Sequence, residues 1–374
     1  MAGRVVLFGA TGYTGRLVAG ALLRRGQRPV LAGRSLAKLR ALSAELGGGL
    51  DVAEADVYVL ESVRALVGRG DVLISTVGPF ARLGDAAAEA ALEAGAHYLD
   101  SNGEPGFTRR VFESYGPRAA AAGIAMLTAF GWECVLGNLA GAVALHDAGG
   151  RAVRVDTGYF YDGRVGFSGG TRASWASAVV LPSFAYRDGQ ILTVRGGERY
   201  RTISLDGQER GAISFGGSEH FALPRSFPQV HEVNAYQGWF GRSPGRTARA
   251  LHGSSGVGAW ALSLPGMRRI YEAASRQIVR GSTGGPTASE RARGRVHVVA
   301  IAYDTEGAPM AEVHLGGPEG YELTGELLAW GADRIVAGGP EAAGALGPAE
   351  AFAIDRLKAG CTEADVRIAF AEPS

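Results

Sequence analysis

The first residues that could do chemistry form a short run of glycines and hydroxyl-bearing side chains, Gly9-Ala10-Thr11-Gly12-Tyr13-Thr14-Gly15. The apolar residues 5–8 precede this run, and apolar residues at helical spacing follow it. A strand that breaks into a glycine turn and then a helix presents backbone N–H groups to a pyrophosphate, so the run predicts a dinucleotide-binding turn. A glycine-rich turn without a ligand is the alternative. The predicted contact residues are Gly9, Thr11, Gly12, Tyr13, Thr14 and Gly15.

Arg34 and Ser35 bear on which dinucleotide is bound, because they lie roughly 20 residues beyond the glycines, where proteins selective for NAD place an acidic residue. Here the chain has a guanidinium and a hydroxyl, and a guanidinium forms charge-assisted hydrogen bonds to a ribose 2′-phosphate. The sequence therefore predicts NADP, bound as NADPH. In the alternative, Arg34 is a solvated surface charge, and Ser35 is the N-cap of a helix over residues 36–46 in either case.

Further cofactor candidates come directly after predicted strands. Thr76, Val77, Gly78 and Pro79 follow the fourth strand, and Asp56 follows the third. Open α/β sheets bind ligands at the carboxyl ends of their strands, so we expect the first four residues to line the cofactor and Asp56 to lie on its adenine side. A simple strand-ending turn and a loop-capping carboxylate are the alternatives.

Hydride transfer from a nicotinamide requires little acid–base apparatus beyond a proton donor. Five side chains near the expected cleft could donate that proton, and no spacing selects among them: Tyr98, Asp100, Glu104, Glu133 and Cys134. Ser168, Gly169, Gly170 and Thr171 could offer hydroxyl and N–H groups to a substrate carbonyl or carboxylate. A turn that caps a helix beginning near Arg172 is an equal alternative for this second group.

Composition excludes several other classes of protein. The 374 residues carry a net charge of +1 with no basic tract, so nucleic acid is not an expected partner. The two cysteines, Cys134 and Cys361, form no disulfide framework, and the histidines show no metal-ligand spacing. No signal peptide or transmembrane segment is predicted, so the expected location is the cytoplasm, and a homodimer is left open.

The elements that must position these residues alternate in the N-terminal part of the chain. Strands are predicted at residues 4–8, 29–32, 51–55, 71–76, 97–99 and 124–128, with helices between them that include 84–94 and 107–122. Such alternation predicts a doubly wound parallel sheet of the Rossmann type. This first domain is expected to comprise residues 1–146, completed by C-terminal elements from 318–374.

The middle of the chain has a different sequence pattern, which is typical of short antiparallel strands. Strands are predicted at 153–161, 191–194, 200–205, 212–215, 230–236, 295–303 and 309–315, and helices near 247–262 and 267–279. We therefore expect a second, α+β domain over residues 147–317, built on an antiparallel sheet and serving the substrate or dimerisation.

The order of several motifs resembles that of the saccharopine dehydrogenase-like oxidoreductases, in particular the subgroup that includes trans-acting enoyl reductases. The resemblance implies a Rossmann domain, a second α/β domain and a nicotinamide cofactor. The chain departs from the usual residues of that family at Glu133, Cys134 and Leu136. The matching segments are residues 9–16, 31–34, 77–80, 94–100, 103–105, 131–135, 168–171, 320–324 and 345–349, with Phe352.

Taken together, these features predict an NADPH-dependent reductase that transfers hydride to a C=C or C=N bond of a small or carrier-linked metabolite. Two alternatives remain open. One is a non-catalytic NADP(H)-binding sensor or scaffold. The other is a semialdehyde-type dehydrogenase in which Cys134 is the nucleophile.

Overall fold

The computed structural model describes residues 3–163, 166, 168, 171, 181–205, 207–238, 248–250, 252–253, 256 and 284–371. The helix predicted over 247–262 is described only in part. The helix predicted over 267–279 lies outside the described residues, as do Gly169 and Gly170.

The N-terminal part alternates strands and helices as predicted. Its elements are β1 (Val5–Phe8), α1 (Tyr13–Arg24), β2 (Val30–Gly33), α2 (Leu36–Glu45), β3 (Val52–Glu54), α3 (Leu60–Arg64), β4 (Val72–Ser75), α4 (Phe80–Ala94), β5 (His97–Asp100), α5 (Pro105–Arg110), a π-helical stretch Val111–Tyr115, α6 (Gly116–Ala122), β6 (Ala125–Leu127) and α7 (Trp132–Ala148). A single 3-10 turn, Gly149–Arg151, follows α7.

The middle part is rich in strands, and the C-terminal part is mostly helical. The elements are β7 (Arg154–Asp162), β8 (Pro182–Arg187), β9 (Gln190–Arg195), β10 (Tyr200–Leu205), β11 (Gln208–Phe215), α8 (Glu219–Ser226), β12 (Glu232–Gly238), α9 (Ala288–Arg291), β13 (Arg295–Tyr303), β14 (Pro309–Gly317), α10 (Gly320–Gly338), β15 (Gly344–Ala345), α11 (Pro348–Phe352), α12 (Ile354–Glu363) and β16 (Arg367–Ala371). The sequence patterns did not predict β8, β15 or β16.

The first sheet has seven strands in the order β15-β6-β5-β4-β1-β2-β3. All its pairings are parallel, and the interior strand β1 pairs with β2 on one side and with the central strand β4 on the other. Both faces of the central strands are covered, since β1 and β4 are buried along their whole length. The predicted doubly wound parallel sheet is confirmed, and it gains a seventh strand, β15, from the C-terminal part.

The second sheet has nine strands and is mixed. Its main path runs β10-β11-β12-β7-β13-β14-β16, and β8 joins it beside β12 and carries β9. The strand pairs are antiparallel except for β7 with β12, which run parallel. The expected antiparallel arrangement therefore holds for most of this sheet.

The chain divides into two compact units. The first comprises residues up to 102, 107–135 and 321–360, and the second comprises 103–106, 136–320 and 361 onward. α10, β15 and α11 therefore join the first unit, whereas β16 pairs with β14 in the second sheet. The domain boundaries at 146/147 and 317/318 stay a prediction, and the compact units differ from them within α7 and after Gly360.

Each unit has its own buried core. In the first, the ring of Phe352 packs edge-on against Trp330 at a centroid distance of 4.7 Å and against Phe130 at 5.9 Å. In the second, Phe160 and Tyr236 belong to a cluster of buried side chains from five strands of the large sheet.

Candidate functional site

The glycine turn between β1 and α1 has the geometry that its sequence predicts. Gly9 has a φ of +89°, and its N–H donates to the carbonyl of Ala32 at 2.9 Å. A Cβ on Gly15 would lie 2.3 Å from the Gly9 carbonyl oxygen, so this glycine lets α1 pack directly on the strand end. Gly12 is exposed, and the nearest atom to a Cβ placed there is the same oxygen at 3.1 Å. The structure therefore leaves no room for a side chain at Gly15, whereas the backbone at Gly12 is accessible.

The N-terminus of α1 suits an anionic group. Gly12 occupies the N-cap position and offers no side-chain cap, and the first turn contains no acidic residue. The first N–H groups of a helix have no partner within the helix, and the helix dipole places partial positive charge there. This end of α1, with Thr11, Tyr13 and Thr14 around it, fits the pyrophosphate of a dinucleotide.

Arg34 follows β2 at the same edge of the sheet, where it is exposed. Among the described residues it forms no ion pair, so its charge is available to a ligand. The hydroxyl of Ser35 accepts a hydrogen bond from the N–H of Lys38 at 3.4 Å and caps α2, as the sequence indicated. A hydroxyl can serve a cap and a ligand together, so both roles of Ser35 stand.

The ends of β3 and β4 reach this edge as well. The hydroxyl of Thr76 donates to the carbonyl oxygens of Phe8 and Gly9, both at 3.2 Å, and so links the end of β4 to the glycine turn. Val77 and Gly78 continue to Pro79, which is joined by a cis peptide bond and stands at the N-cap of α4. The Asp56 carboxylate accepts from the N–H of Tyr58 at 3.0 Å, which is a loop-capping contact.

Two of the candidate proton donors lie in β5, Tyr98 within the strand and Asp100 at its end, and both are fully buried. The Asp100 carboxylate accepts hydrogen bonds from the N–H groups of Asn102 at 2.9 Å and Ala129 at 2.7 Å, and from the Thr128 hydroxyl at 2.9 Å. Burial nevertheless outweighs these bonds and raises the pKa of Asp100 to about 6. Burial, together with the charge of Asp100, also raises the pKa of Tyr98 well above its usual value.

Of the three remaining candidates, two are also buried. Glu104 follows β5, and Cys134 lies in the first turn of α7. Glu133, the residue before it, is half-buried. The turn that leads into α7 is tied to its surroundings through its backbone, because the N–H of Phe130 donates to the Asp100 carbonyl at 2.8 Å. Glu133 and Cys134 therefore lie directly after a fixed turn that follows β6.

Two residues of α10 contribute to this edge, and sequence reasoning did not assign them a role. The Thr324 hydroxyl accepts from the N–H of Trp132 at 3.2 Å. The ring of Tyr321 packs edge-on against Tyr13 beside the glycine turn, with centroids 5.0 Å apart. Both lie in the segment 320–324, which is one of the segments that resemble the family. That resemblance was the signal by which a role for them could have been predicted.

Ser168 and Thr171 lie outside the Rossmann sheet, in the second unit. The N–H of Thr171 donates to the Ser168 hydroxyl at 3.2 Å, which is the contact expected of a capping turn. A role in substrate binding for this segment stays a prediction. Among the described residues, no three His, Cys, Asp or Glu side chains are grouped as metal ligands, and no helix is long and apolar enough to cross a bilayer.

Comparison with known proteins agrees with this geometry. Residues 5–127 match the family described as "Saccharopine dehydrogenase NADP binding domain". A candidate trans-acting enoyl reductase of Mycobacterium tuberculosis is 29% identical over 364 residues, covering 87% of this chain and 86% of the relative. The trans-acting enoyl reductase of Mycobacterium leprae is 36% identical over 140 residues, covering 36% of this chain and 34% of that protein.

Two solved structures share the fold over nearly the whole chain. The L-glutamate-forming saccharopine dehydrogenase of Saccharomyces cerevisiae superposes with a TM-score of 0.60 and 15% identity, covering 99% of this chain and all of that one. The NAD complex of homospermidine synthase from Legionella pneumophila gives a TM-score of 0.60 and 10% identity, covering 99% and 92%. At these identities the likeness establishes the fold alone.

Proposed function

From the premise that this chain is an NADP-dependent oxidoreductase of the saccharopine dehydrogenase-like kind, we propose that it reduces a C=C or C=N bond of a small or carrier-linked metabolite. The predicted family resemblance and the NADP cofactor are confirmed by the match of residues 5–127. The bond that is reduced, the substrate, a homodimer and a cytoplasmic location stay predictions.

One observation carries the choice of cofactor. An exposed guanidinium stands at the end of β2, and the described residues offer it no carboxylate partner. A carboxylate at this position would repel a 2′-phosphate, whereas Arg34 can bind it with charge-assisted hydrogen bonds. The open N-terminus of α1 supplies the diphosphate contacts next to it. The residues present therefore fit NADP.

NADPH, when bound, supplies the hydride. The chain must hold the acceptor carbon against the nicotinamide, keep water away and provide a proton. The carboxyl ends of β4, β5 and β6 and the first turn of α7 are the elements that we assign to this task. The names of the mycobacterial relatives favour a conjugated C=C bond in a carrier-linked acyl group over a C=N bond.

The decisive experiment measures binding and turnover separately. The dissociation constants of NADPH and NADH are determined by fluorescence titration. NADPH oxidation is then followed with enoyl thioesters and, in parallel, with mixtures of an amine and an α-keto acid. We expect tighter binding of NADPH than NADH, and oxidation with the thioesters. Tight NADPH binding without turnover on either class would favour the sensor or scaffold and would contradict the reductase.

A further inference from the structure

The turn between β6 and α7 contains a residue in an unfavourable backbone conformation. Ala129 has a φ of +56°, in the left-handed region that side chains of L-residues avoid. It is buried, and the turn leads directly to Gly131 and Trp132 at the start of α7. Such a conformation persists only where the surrounding structure enforces it.

Asp100 is hydrogen-bonded to this turn at three points. Its Oδ1 accepts the N–H of Ala129 at 2.7 Å, and its main-chain carbonyl accepts the N–H of Phe130 at 2.8 Å. The Thr128 hydroxyl donates to the Oδ2 of the same carboxylate at 2.9 Å. Three consecutive residues of the turn are thus bound to one residue at the end of β5.

The same contacts direct the carboxylate into the interior of the protein. Asp100 is fully buried, and each of its oxygens already accepts a hydrogen bond from the protein. A proton donor to a substrate must come within hydrogen-bond reach of the reacting atom. Full burial and these hydrogen bonds both favour a structural role of the carboxylate over direct contact with a substrate.

We propose that Asp100 is a positioning residue: it holds Ala129 in the left-handed conformation and thereby sets where the first turn of α7 begins. The functional part of this inference is that the β6–α7 turn positions Glu133 and Cys134, which lie in the first turn of α7. This part rests on the proposed reductase function. The structural part, that Asp100 enforces the turn, is independent of any activity.

The structural part is tested by a double-mutant cycle. Asp100→Ala removes the carboxylate, and Ala129→Gly removes the penalty of the left-handed conformation. Alone, Asp100→Ala should speed hydrogen exchange at the amides of residues 129 and 130 at least tenfold. Ala129→Gly should raise the melting temperature more in the native protein than in the Asp100→Ala variant, because Ala129 can leave the left-handed region once the carboxylate no longer holds its N–H.

Ala353 provides the matched control. It has a φ of +57° and a ψ of 155° between α11 and α12, so Ala353→Gly also relieves the strain of a positive φ, at a site without a bond to Asp100. Ala353→Gly should change the melting temperature by the same amount in the native protein and in the Asp100→Ala variant. The inference is overturned if two results are found together. The first is that the melting-temperature changes of Ala129→Gly and Asp100→Ala simply add, as those of Ala353→Gly and Asp100→Ala do. The second is that hydrogen exchange at residues 129 and 130 is unchanged in Asp100→Ala. Should Asp100→Ala fail to fold, Asp100→Ser replaces it with the same expectations.

Activity distinguishes positioning from proton donation. Asn keeps an oxygen acceptor for the Ala129 N–H but cannot donate a carboxyl proton. With crotonyl-coenzyme A as the probe, Asp100→Asn should retain kcat within a factor of three, whereas Asp100→Ala should lower kcat at least tenfold with an unchanged dissociation constant for NADPH. An equal loss of kcat in both variants would contradict the positioning role. If the native protein does not turn over this probe, the reductase proposal is weakened, while the exchange experiment still decides on Asp100.

Discussion

At the scale of single residues, Arg34 decides between the two nicotinamide cofactors. Arg34→Ala should weaken NADPH binding by about 1.5–3 kcal/mol, which is typical of hydrogen bonds to a charged group, and leave NADH binding unchanged. The reason is that only the 2′-phosphate distinguishes the two ligands. Fluorescence titration of both cofactors on the variant measures the difference directly.

Arg40 supplies the control for this measurement. It is an exposed arginine of α2 that forms no ion pair among the described residues, so Arg40→Ala removes the same charge at a position away from the end of β2. NADPH binding should change little in that variant. Equal weakening of NADPH and NADH by Arg34→Ala would show that the guanidinium does not contact the 2′-phosphate.

Cys134 tests the thiol-dependent alternative. Its side chain is buried, which is typical of a structural thiol, although it lies in the first turn of α7, where a thiolate would be favoured. For a simple hydride transferase, Cys134→Ser should retain NADPH oxidation within about threefold, since a serine fills nearly the same space. A semialdehyde-type dehydrogenase would instead lose its activity together with its nucleophile.

Asp100 should make the stability of the fold depend on pH. Its pKa in the folded protein, about 6, lies above the usual value of 3.8, so its stabilising contribution is complete below about pH 4 and is lost as the pH rises through 6. A shift of this size corresponds to about 3 kcal/mol. Asp100→Asn cannot ionise, so its melting temperature relative to the native protein should improve between pH 4.5 and 7. A difference that stays constant over this range would contradict the raised pKa.

At the scale of elements, two glycines of the β1–α1 turn have separable roles. Gly15→Ala places a Cβ 2.3 Å from the Gly9 carbonyl oxygen and should destabilise the protein by about 2 kcal/mol or more. Gly12→Ala meets that oxygen at 3.1 Å on an exposed turn, at a φ of −71° that alanine tolerates. It should leave the melting temperature nearly unchanged but weaken NADPH binding. Thermal melts and NADPH titrations of both variants test this, and equal loss of stability would contradict it.

Elements with a strong local signal could be predicted from the sequence. β1 and residues 72–74 of β4 are continuous apolar runs before polar or turn residues, and the glycine spacing predicted the start of α1. The cofactor edge of the sheet follows from those elements, because parallel strands end on the same side. This explains why most of the cofactor candidates lie together.

Contacts between residues distant in the chain could not be predicted. Thr324 binds the N–H of a residue 192 positions earlier, and nothing in the local pattern of α10 indicates that partner. β15 has only two residues, too few to show any periodicity. Asp100 was a candidate because of its residue type and position, but its hydrogen bonds to the β6–α7 turn depend on the pairing of β5 with β6.

At the scale of the whole chain, the C-terminal residues return to the second sheet after α12. β16 pairs with β14 over five residues, from Gly316 with Arg367 to Glu312 with Ala371. Without β16, the buried residues Val313 and Leu315 of β14 would stand on an open sheet edge. The last strand is therefore expected to stabilise the second unit, even though α11 and most of α12 belong to the first.

Deleting residues 367–374 tests this assignment. The melting temperature should fall by about 5 °C or more, and aggregation should increase because the exposed edge of β14 can pair with another chain. The dissociation constant of NADPH should stay within about threefold, since β16 does not pair with the Rossmann sheet. Phe370→Ala serves as the control, because this side chain is 59% exposed and its loss keeps the backbone pairing. A deletion that weakened NADPH binding at an unchanged melting temperature would instead place the function of this strand with the cofactor-binding unit.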